Sequence, residues 1–321
     1  MMANMVSALN SALESILKEN DNAVLLGEDI GVDGGVFRVT EGLIEKFGER
    51  RVVDTPLAES GIIGTAIGMS LSGLRPIPEI QFAGFMLLSF SQLVNHAARY
   101  RTRTRSMMPV PMVVRTPVSG GVKTLEHHSD SPEAYYSHIG GLVVVEPSNP
   151  YDAKGLLIKA SRMDDPVIFL EPTKLYRLFR QEVPEEPYEV EIGKANVVSQ
   201  GEDLTIVTYG TMVPVVKEVV RKKAMNAEII DLRTINPLDE DTIIASVKKT
   251  GRVAIIHEAS MSFGVGAEIA ARIADKAIFE LKAPVVRVAA PSLPYPFPGY
   301  ENYYVPNEIK ISIALDRLMS S

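Results

Sequence analysis

The fold is decided by residues 54–69, which read Asp54-Thr55-Pro56-Leu57-Ala58-Glu59-Ser60-Gly61-Ile62-Ile63-Gly64-Thr65-Ala66-Ile67-Gly68-Met69. A short apolar strand ends at Val53, and a helix begins near Glu59, where backbone N–H groups lack partners within the helix. Although glycine lowers helix propensity, it recurs on one face of this helix, at Gly61, Gly64 and Gly68. This spacing indicates that another backbone approaches closely. On helix-start statistics alone, Glu59 is an acid that complements the helix dipole.

The composition is that of an ordinary globular protein. The chain has 321 residues, of which 46% are hydrophobic and 23% are charged, enough for two domains with sizeable cores. The net charge of -7 makes nucleic acid an unfavourable partner. There is no cysteine, which excludes disulfides, a thiol nucleophile and a cysteine zinc site. No apolar run reaches the length of a membrane span and no signal peptide is recognisable, so we expect a cytoplasmic protein without a membrane partner.

Strand and helix patterns alternate along the chain, which predicts an α/β fold with mostly parallel sheets flanked by helices. Residues 181–192 (QEVPEEPYEVEI) are rich in proline and acids and interrupt this alternation. We therefore expect a first domain over residues 1–180, a linker over 181–199 and a second domain over 200–321.

Common catalytic and nucleotide-binding motifs are missing. The chain contains no phosphate-binding P-loop, no G-x-S-x-G elbow and no H-E-x-x-H motif. Residues 31–35 (GVDGG) lack the spacing of a dinucleotide fingerprint and are typical of a turn with positive φ. The five histidines have no metal-ligand spacing with neighbouring acids. A dehydrogenase with its own nucleotide site is therefore disfavoured.

Several segments in one order resemble the beta subunit of the thiamine-diphosphate-dependent 2-oxo acid dehydrogenase (decarboxylating) component, a family with pyruvate, branched-chain and acetoin members. The resemblance covers nearly the whole chain. The segments are Gly27 to Gly31, Gly34 to Arg38, DTPLAESG (54–61), PIPEIQF (76–82), EHHSDSPEA (126–134), YDAKGLL (151–157), Tyr176-Arg177, IDLRTINPLD (230–239) and HEA (257–259).

The resemblance implies two transketolase-like domains, with the pyrimidine end of thiamine diphosphate on the first. The second domain, also α/β, would mainly support assembly. In the family, the diphosphate and its Mg2+ bind a Gly-Asp-Gly signature on a partner alpha chain, and this sequence contains no Gly-Asp-Gly. We therefore expect half of a site, completed by an alpha subunit in a two-alpha two-beta heterotetramer that docks a dihydrolipoyl acyltransferase core.

Glu59 matches the family's catalytic glutamate. In that role a carboxyl group hydrogen-bonds the pyrimidine nitrogen N1', so that the cofactor's own amino group can remove the proton from its reactive carbon; burial next to an apolar ring would favour proton sharing. Thr65 replaces the apolar residue that the family carries one place after Gly64. This departure weakens the argument for helix contact and leaves the assignment of Glu59 intact.

Three further positions match residues that line the aminopyrimidine in relatives. Leu57 and Phe85 would supply apolar and stacking surface, and Gln81 an amide hydrogen bond. His128 matches a histidine that reaches the channel mouth and would donate a proton during acyl transfer to lipoamide. Without the resemblance, the first three are typical of core or strand-end positions, and His128 of a polar loop.

The resemblance also implies a structural monovalent cation such as K+, held largely by backbone carbonyl groups. The matching positions are Met112, Ala160, Ser161, Met163 and Asp165, with Met163 in place of an acidic residue. Glu28 matches an acidic passage between paired cofactors and is equally typical of a solvated strand end.

The favoured function is thus a catalytic subunit that oxidatively decarboxylates a branched-chain 2-oxo acid, 3-methyl-2-oxobutanoate, and acylates lipoyl groups. The motifs around residues 128–136 and 296–298 favour the branched-chain members, while residues 54–61 and 287–291 are equally typical of bacterial pyruvate enzymes. A pyruvate or acetoin enzyme is the alternative. A non-catalytic scaffold subunit that docks the acyltransferase is the alternative of another class.

Overall fold

The structure is a computed structural model that describes every residue from Met1 to Ser321. Its helices are α1 (Met5–Glu19), α2 (Leu43–Phe47), α3 (Glu59–Leu71), α4 (Ala83–Met86), α5 (Ala98–Arg103), α6 (Glu133–Ser137), α7 (Pro150–Ser161), α8 (Met212–Lys222), α9 (Glu240–Thr250), α10 (Val265–Ala277), α11 (Glu301–Tyr304) and α12 (Glu308–Ser320). None of them combines the length and apolar composition needed to cross a lipid bilayer.

The strands form two main sheets and one small ribbon. They are β1 (Met2–Ala3), β2 (Ala23–Gly27), β3 (Val52–Asp54), β4 (Arg75–Glu79), β5 (Val113–Val118), β6 (Val143–Val145), β7 (Val167–Pro172), β8 (Gln181–Glu182), β9 (Asn196–Ser199), β10 (Leu204–Thr208), β11 (Ala227–Asp231), β12 (Thr234–Asn236), β13 (Val253–Ser260) and β14 (Val286–Ala290). The first sheet has the order β12-β6-β7-β5-β4-β2-β3 and the second β14-β13-β10-β11-β9.

Both sheets are parallel except at one edge strand each, which confirms the predicted α/β class. In the first sheet β12 runs antiparallel to β6, and in the second β9 runs antiparallel to β11. Because β12 follows β11 in the chain, the second half of the sequence contributes an edge strand to the first sheet.

The segment predicted to be a linker contains two short strands. β8 pairs with β1 at the start of the chain, and β9 pairs with β11 in the second sheet. The ends of residues 181–199 are thus tied to one half of the molecule each, while the boundaries at 180 and 200 stay a prediction.

Two local patterns differ from what the sequence predicts. No strand is predicted over β4, which contains Pro76 and Pro78; it pairs with β2 along its length and with β5 only at Glu79. Proline cannot donate to a strand ladder, which explains why one side is nearly unpaired. The pattern of residues 87–100 predicts one helix, and the structure instead has a 3-10 turn (Leu87–Ser89), a π-helix (Gln92–Ala97) and the start of α5.

The two halves share their largest apolar core. A cluster of 33 buried residues joins the first sheet, for example Val144 and Ile168, to Val207 and Ile255 of the second. A second cluster of 26 residues lies between α1, α7 and the other face of the first sheet. Shared apolar burial of this extent holds the carboxyl ends of both sets of strands in fixed relation.

Candidate active site

The candidate site begins where β2 and β3 end, at one edge of the first sheet. Asp54, the last residue of β3, accepts hydrogen bonds from the backbone N–H groups of Gly31 and Val32 at 2.6 and 3.1 Å. These bonds hold the loop after β2, in which Gly34 and Gly35 have the positive φ angles predicted from the sequence. Asp54 therefore fixes the conformation of this loop. Helix α3 begins five residues after Asp54.

Two carboxylates meet in this corner. Glu28, directly after β2, is 4% exposed, and its Oε1 atom has no hydrogen-bond donor within the chain. Burial raises the pKa of Glu28, and the negative charges of Glu59 and Asp29 raise it further. Glu59 is the first residue of α3 and is half-buried. The pair thus places a buried carboxyl group with a raised pKa beside the predicted catalytic glutamate.

Gln81 lies on the neighbouring strand end, after β4. Its side-chain Nε2 donates to Oδ2 of Asp29 at 2.9 Å. Asp29 has a φ of 57°, which is uncommon for a non-glycine residue and turns its side chain within the loop after β2. The amide group predicted to serve the cofactor is therefore oriented by Asp29.

His128 and Phe85 come together although they are far apart in sequence. Their ring centroids are 5.3 Å apart with an interplanar angle of 80°, and the His128 ring also lies 4.3 Å from that of Phe82. Nδ1 of His128 is buried and has no partner. Gly84 allows this contact, since a Cβ atom there would collide with the carbonyl oxygen of His127. Edge-to-face packing fixes the ring and leaves one nitrogen unsatisfied.

Leu57 and the glycine stripe (Gly61, Gly64 and Gly68) lie on the surface of the chain. Leu57 is 80% exposed, and all three glycines are exposed. A Cβ atom on Gly64 or Gly68 would meet nothing within 4 Å. No backbone of this chain therefore packs against the stripe, and the close approach predicted from the sequence would have to come from another chain.

The oxygens predicted to hold a monovalent cation are engaged by donors of the chain itself. Arg75 Nη1 donates to the carbonyl groups of Ser161 and Met163 at 3.2 and 2.8 Å. The carbonyl group of Met112 accepts the N–H of Val167.

The remaining two positions are similar. The carbonyl group of Ala160 accepts the N–H of Met163, and Asp165 pairs with Arg101 at 2.5 Å. As arranged, these oxygens do not offer a free ring to a cation, and the cation site stays a prediction from which no chemistry is derived. No cluster of three or more histidine, aspartate or glutamate side chains is arranged to hold a metal ion.

Sequence reasoning missed a buried ion cluster that spans β4, β5 and β7. The guanidinium group of Arg115 bonds Glu171 at 2.7 and 3.0 Å and Glu79 at 2.7 Å, and Tyr176 donates to Glu171 at 2.7 Å. All four residues are buried. The signal was available, since charged residues inside otherwise apolar strands must be paired. This cluster joins three neighbouring strands of the first sheet.

Comparisons with known proteins identify the family. Residues 1–178 match the family described as "Transketolase, pyrimidine binding domain", and residues 193–311 match "Transketolase, C-terminal domain". A solved structure titled "Split gene transketolase, inactive beta4 tetramer" has a TM-score of 0.81 at 20% identity, covering 99% of this chain and 98% of that one. At this identity the likeness concerns the fold.

Curated relatives match at much higher identity. A protein from Staphylococcus epidermidis named "Pyruvate dehydrogenase E1 component subunit beta" is 51% identical over 307 residues, covering 95% of this chain and 94% of the relative. Proteins of the same name from Acholeplasma laidlawii and Staphylococcus aureus are 48% and 50% identical, covering 98% and 95% of this chain and 97% and 94% of the relatives. The chain therefore belongs to the transketolase-like family of thiamine-diphosphate-dependent 2-oxo acid dehydrogenase beta subunits.

Proposed function

We propose that the chain is the beta subunit of a pyruvate dehydrogenase E1 component. With an alpha subunit it decarboxylates pyruvate and transfers the acyl group to lipoyl groups of a dihydrolipoyl acyltransferase core. Relatives of this name at 48–51% identity support pyruvate better than the branched-chain 2-oxo acid favoured by the sequence motifs, and the branched-chain preference is not confirmed. The acetoin alternative has no support among these relatives.

The observation that carries the proposal is the pair of Glu28 and Glu59. A buried carboxyl group with an unpartnered oxygen beside the half-buried start of α3 fits a polar ligand entering at that corner. Gln81 and Phe85 offer an amide and an aromatic ring on the neighbouring strand end and on α4. These residues fit the pyrimidine end of thiamine diphosphate.

When bound, thiamine diphosphate supplies the carbon nucleophile that attacks the 2-oxo group. In this assignment Glu59 holds a proton at the pyrimidine ring nitrogen, Leu57 and Phe85 cover the ring, and Gln81 orients it. Glu28 is buried beside Glu59, and the charge of Glu59 contributes to the raised pKa of Glu28.

His128 serves the second half of the reaction. Its ring is held by Phe82 and Phe85, and neither ring nitrogen has a hydrogen-bond partner within the chain; Nδ1 is buried, which leaves Nε2 as the nitrogen that a ligand can reach. Which nitrogen carries the proton depends on that ligand. When one lipoyl sulfur takes the acyl group, the S–S bond breaks and the other sulfur leaves as a thiolate. We assign His128 as the proton donor to this leaving sulfur.

The partner contributes the other half of the site. We assign the diphosphate and its Mg2+ to the alpha subunit and propose a two-alpha two-beta assembly. The exposure of Leu57 and of the glycine stripe supports this arrangement, because these surfaces lie beside Glu59 and are uncovered in the single chain.

The test is decarboxylation with an artificial electron acceptor in the presence of thiamine diphosphate and Mg2+. The chain is assayed alone and together with its coexpressed alpha subunit, with pyruvate and 3-methyl-2-oxobutanoate offered side by side. We expect activity only in the pair and a higher kcat/KM for pyruvate. Activity of the chain alone would contradict the split site, and a preference for 3-methyl-2-oxobutanoate would restore the branched-chain assignment.

A further inference from the structure

His128 is carried by a loop that is closed at its base. Residues 119–130, here called the His128 loop, begin and end at one point, where the N–H of Ser119 donates to the carbonyl group of Asp130 at 2.9 Å. Ser119 and Lys123 have positive φ angles of 69° and 57°, which are costly for non-glycine residues. A loop of this kind keeps one shape only where the surrounding structure holds it.

The base of the loop is held by a carboxylate from the second domain. Glu258 lies in β13, is 7% exposed, and accepts the N–H of Gly120 at 2.5 Å through Oε1. Its other oxygen accepts the hydroxyl of Thr211 at 2.6 Å, so both oxygens are engaged. Burial raises the pKa of Glu258, and these two hydrogen bonds and the charge of Lys174 oppose the rise. The carboxylate therefore links the loop to β13 and to the start of α8.

A tyrosine from the second domain covers the same point. Tyr295 follows β14, and its hydroxyl lies so close to Gly120 that a Cβ atom on this glycine would have no room. The ring of Tyr295 packs against that of Tyr304 with centroids 5.0 Å apart, and Tyr304 donates to the carbonyl group of Leu293 at 2.8 Å. Gly120 is thus enclosed between Glu258 and Tyr295.

Taking these contacts together, we propose that Glu258 is a positioning residue for catalysis. It holds the base of the His128 loop so that His128 stays against Phe82 and Phe85, and the second domain thereby acts on the acyl-transfer step. This inference rests on the proposed function of His128. Glu258 touches no substrate in this assignment; it acts through the loop.

The test uses the complex of alpha and beta subunits with Glu258→Ala and the conservative Glu258→Gln. Alanine leaves the buried N–H of Gly120 unpaired, whereas glutamine still offers an oxygen to it. Two quantities are measured: hydrogen exchange of residues 119–130, and kcat/KM for acylation of a lipoyl domain relative to decarboxylation with an artificial acceptor. The control is Asp231→Ala, which removes a buried carboxylate that bonds Ser148 of the first domain away from the loop.

We expect faster exchange of the loop in Glu258→Ala and a fall of at least about tenfold in the acylation-to-decarboxylation ratio. Both effects should be largely restored in Glu258→Gln and absent in Asp231→Ala. Unchanged exchange of the loop in Glu258→Ala would overturn the proposal. Faster exchange with an unchanged ratio, in Glu258→Ala and in His128→Ala alike, would show that the anchor exists and that the assigned function of His128 is wrong.

Discussion

The two sheets end in carboxylates with opposite surroundings. In the first sheet Glu28 and Glu59 lie at an edge where Leu57 and the glycine stripe are exposed. In the second sheet Asp231 and Glu258 are buried and bond outward to the first domain, Asp231 to Ser148 and Glu258 to Gly120. The carboxyl ends of the strands thus form a candidate ligand site in the first half. In the second half they form contacts with the first domain.

The difference teaches where chemistry resides in such a fold. Ligands of open α/β sheets bind beyond the carboxyl ends of the strands, and both halves of this chain have polar residues there. Both halves contain buried polar atoms without partners, but those of the first half include Oε1 of Glu28 and Nδ1 of His128, which belong to the candidate site. In the second half, Asp231 and Glu258 form hydrogen bonds within the chain, and the contribution that we assign to them is therefore indirect.

The largest expected effect comes from Glu59→Gln, because it removes the carboxyl group assigned to the pyrimidine nitrogen. We expect decarboxylation in the alpha-beta complex to fall by about 10²–10⁴-fold, the usual range for general acid-base groups. Assembly should be unchanged, since Glu59 is half-buried and makes no ion pair within the chain. The measurement is turnover with an artificial acceptor, together with the mass of the complex.

The matched control for Glu59→Gln is Glu49→Gln, which neutralises an exposed carboxylate at the end of the loop after α2. It should leave turnover within about twofold, as surface substitutions away from a site usually do. Full turnover of Glu59→Gln in an intact complex would mean that the carboxylates of neither half are catalytic. This result would favour the scaffold alternative.

A second, smaller effect tests whether the exposed glycine stripe on α3 is a subunit interface. Gly64→Ala should stabilise the chain alone by about 0.5–1 kcal/mol, because alanine is the better helix former and its Cβ atom meets nothing within 4 Å. The same substitution should weaken association with the alpha subunit or a second beta chain, where a close helix contact leaves no room. Urea denaturation of the chain and a titration of complex formation measure the two signs.

Gly140→Ala is the control for the glycine stripe, since Gly140 is also exposed with nothing within 4 Å and lies outside α3. It should leave association unchanged. If Gly64→Ala stabilised the chain and left the affinity for the partner unchanged, the glycine stripe would be an ordinary surface. The threonine at position 65 would then not interrupt any packing pattern.

The sequence was sufficient for the elements and for the family, and insufficient for contacts made across the chain. The alternation of strands and helices is local: the apolar patterns predict a strand over residues 204–208 and a helix over residues 61–71, and β10 and α3 match them within two residues. The pairing of Gln81 with Asp29 and of Gly120 with Glu258 joins residues 52 and 138 positions apart, which no periodicity encodes. β4 is not predicted as a strand, since Pro76 and Pro78 are unfavourable inside a strand, and its long ladder with β2 is visible only in three dimensions.

The smallest effect concerns the unfolding free energy that the chain loses at higher pH because acids are buried between the two halves. Glu133, in α6, is buried and accepts the hydroxyl of Tyr209 at 2.7 Å. Burial raises the pKa of Glu133 from 4.5 to about 7, and the nearby charge of Glu258 adds to the rise. The folded chain therefore keeps a proton on Glu133 that the unfolded chain releases near pH 4.5, so stability is highest below that pH and declines as pH rises toward 7.

Glu133→Gln removes this decline because glutamine is neutral at every pH and can still accept from Tyr209. Between pH 6 and pH 8 we expect the wild-type chain to lose about 1 kcal/mol of unfolding free energy more than the variant. Asp231, whose pKa burial also raises to about 7, contributes a similar decline in both proteins and cancels in the difference. His257 has a pKa lowered to about 4 by burial, so it costs stability as pH falls below its unfolded value of 6.5; this cost is the same in both proteins and also cancels in the difference. The unfolding free energies of the two proteins are compared by urea denaturation at pH 6, 7 and 8. An equal dependence on pH would mean that Glu133 is ionised in the folded chain. The contact between the halves would then tolerate a buried charge, just as the edge of the first sheet tolerates its exposed charges.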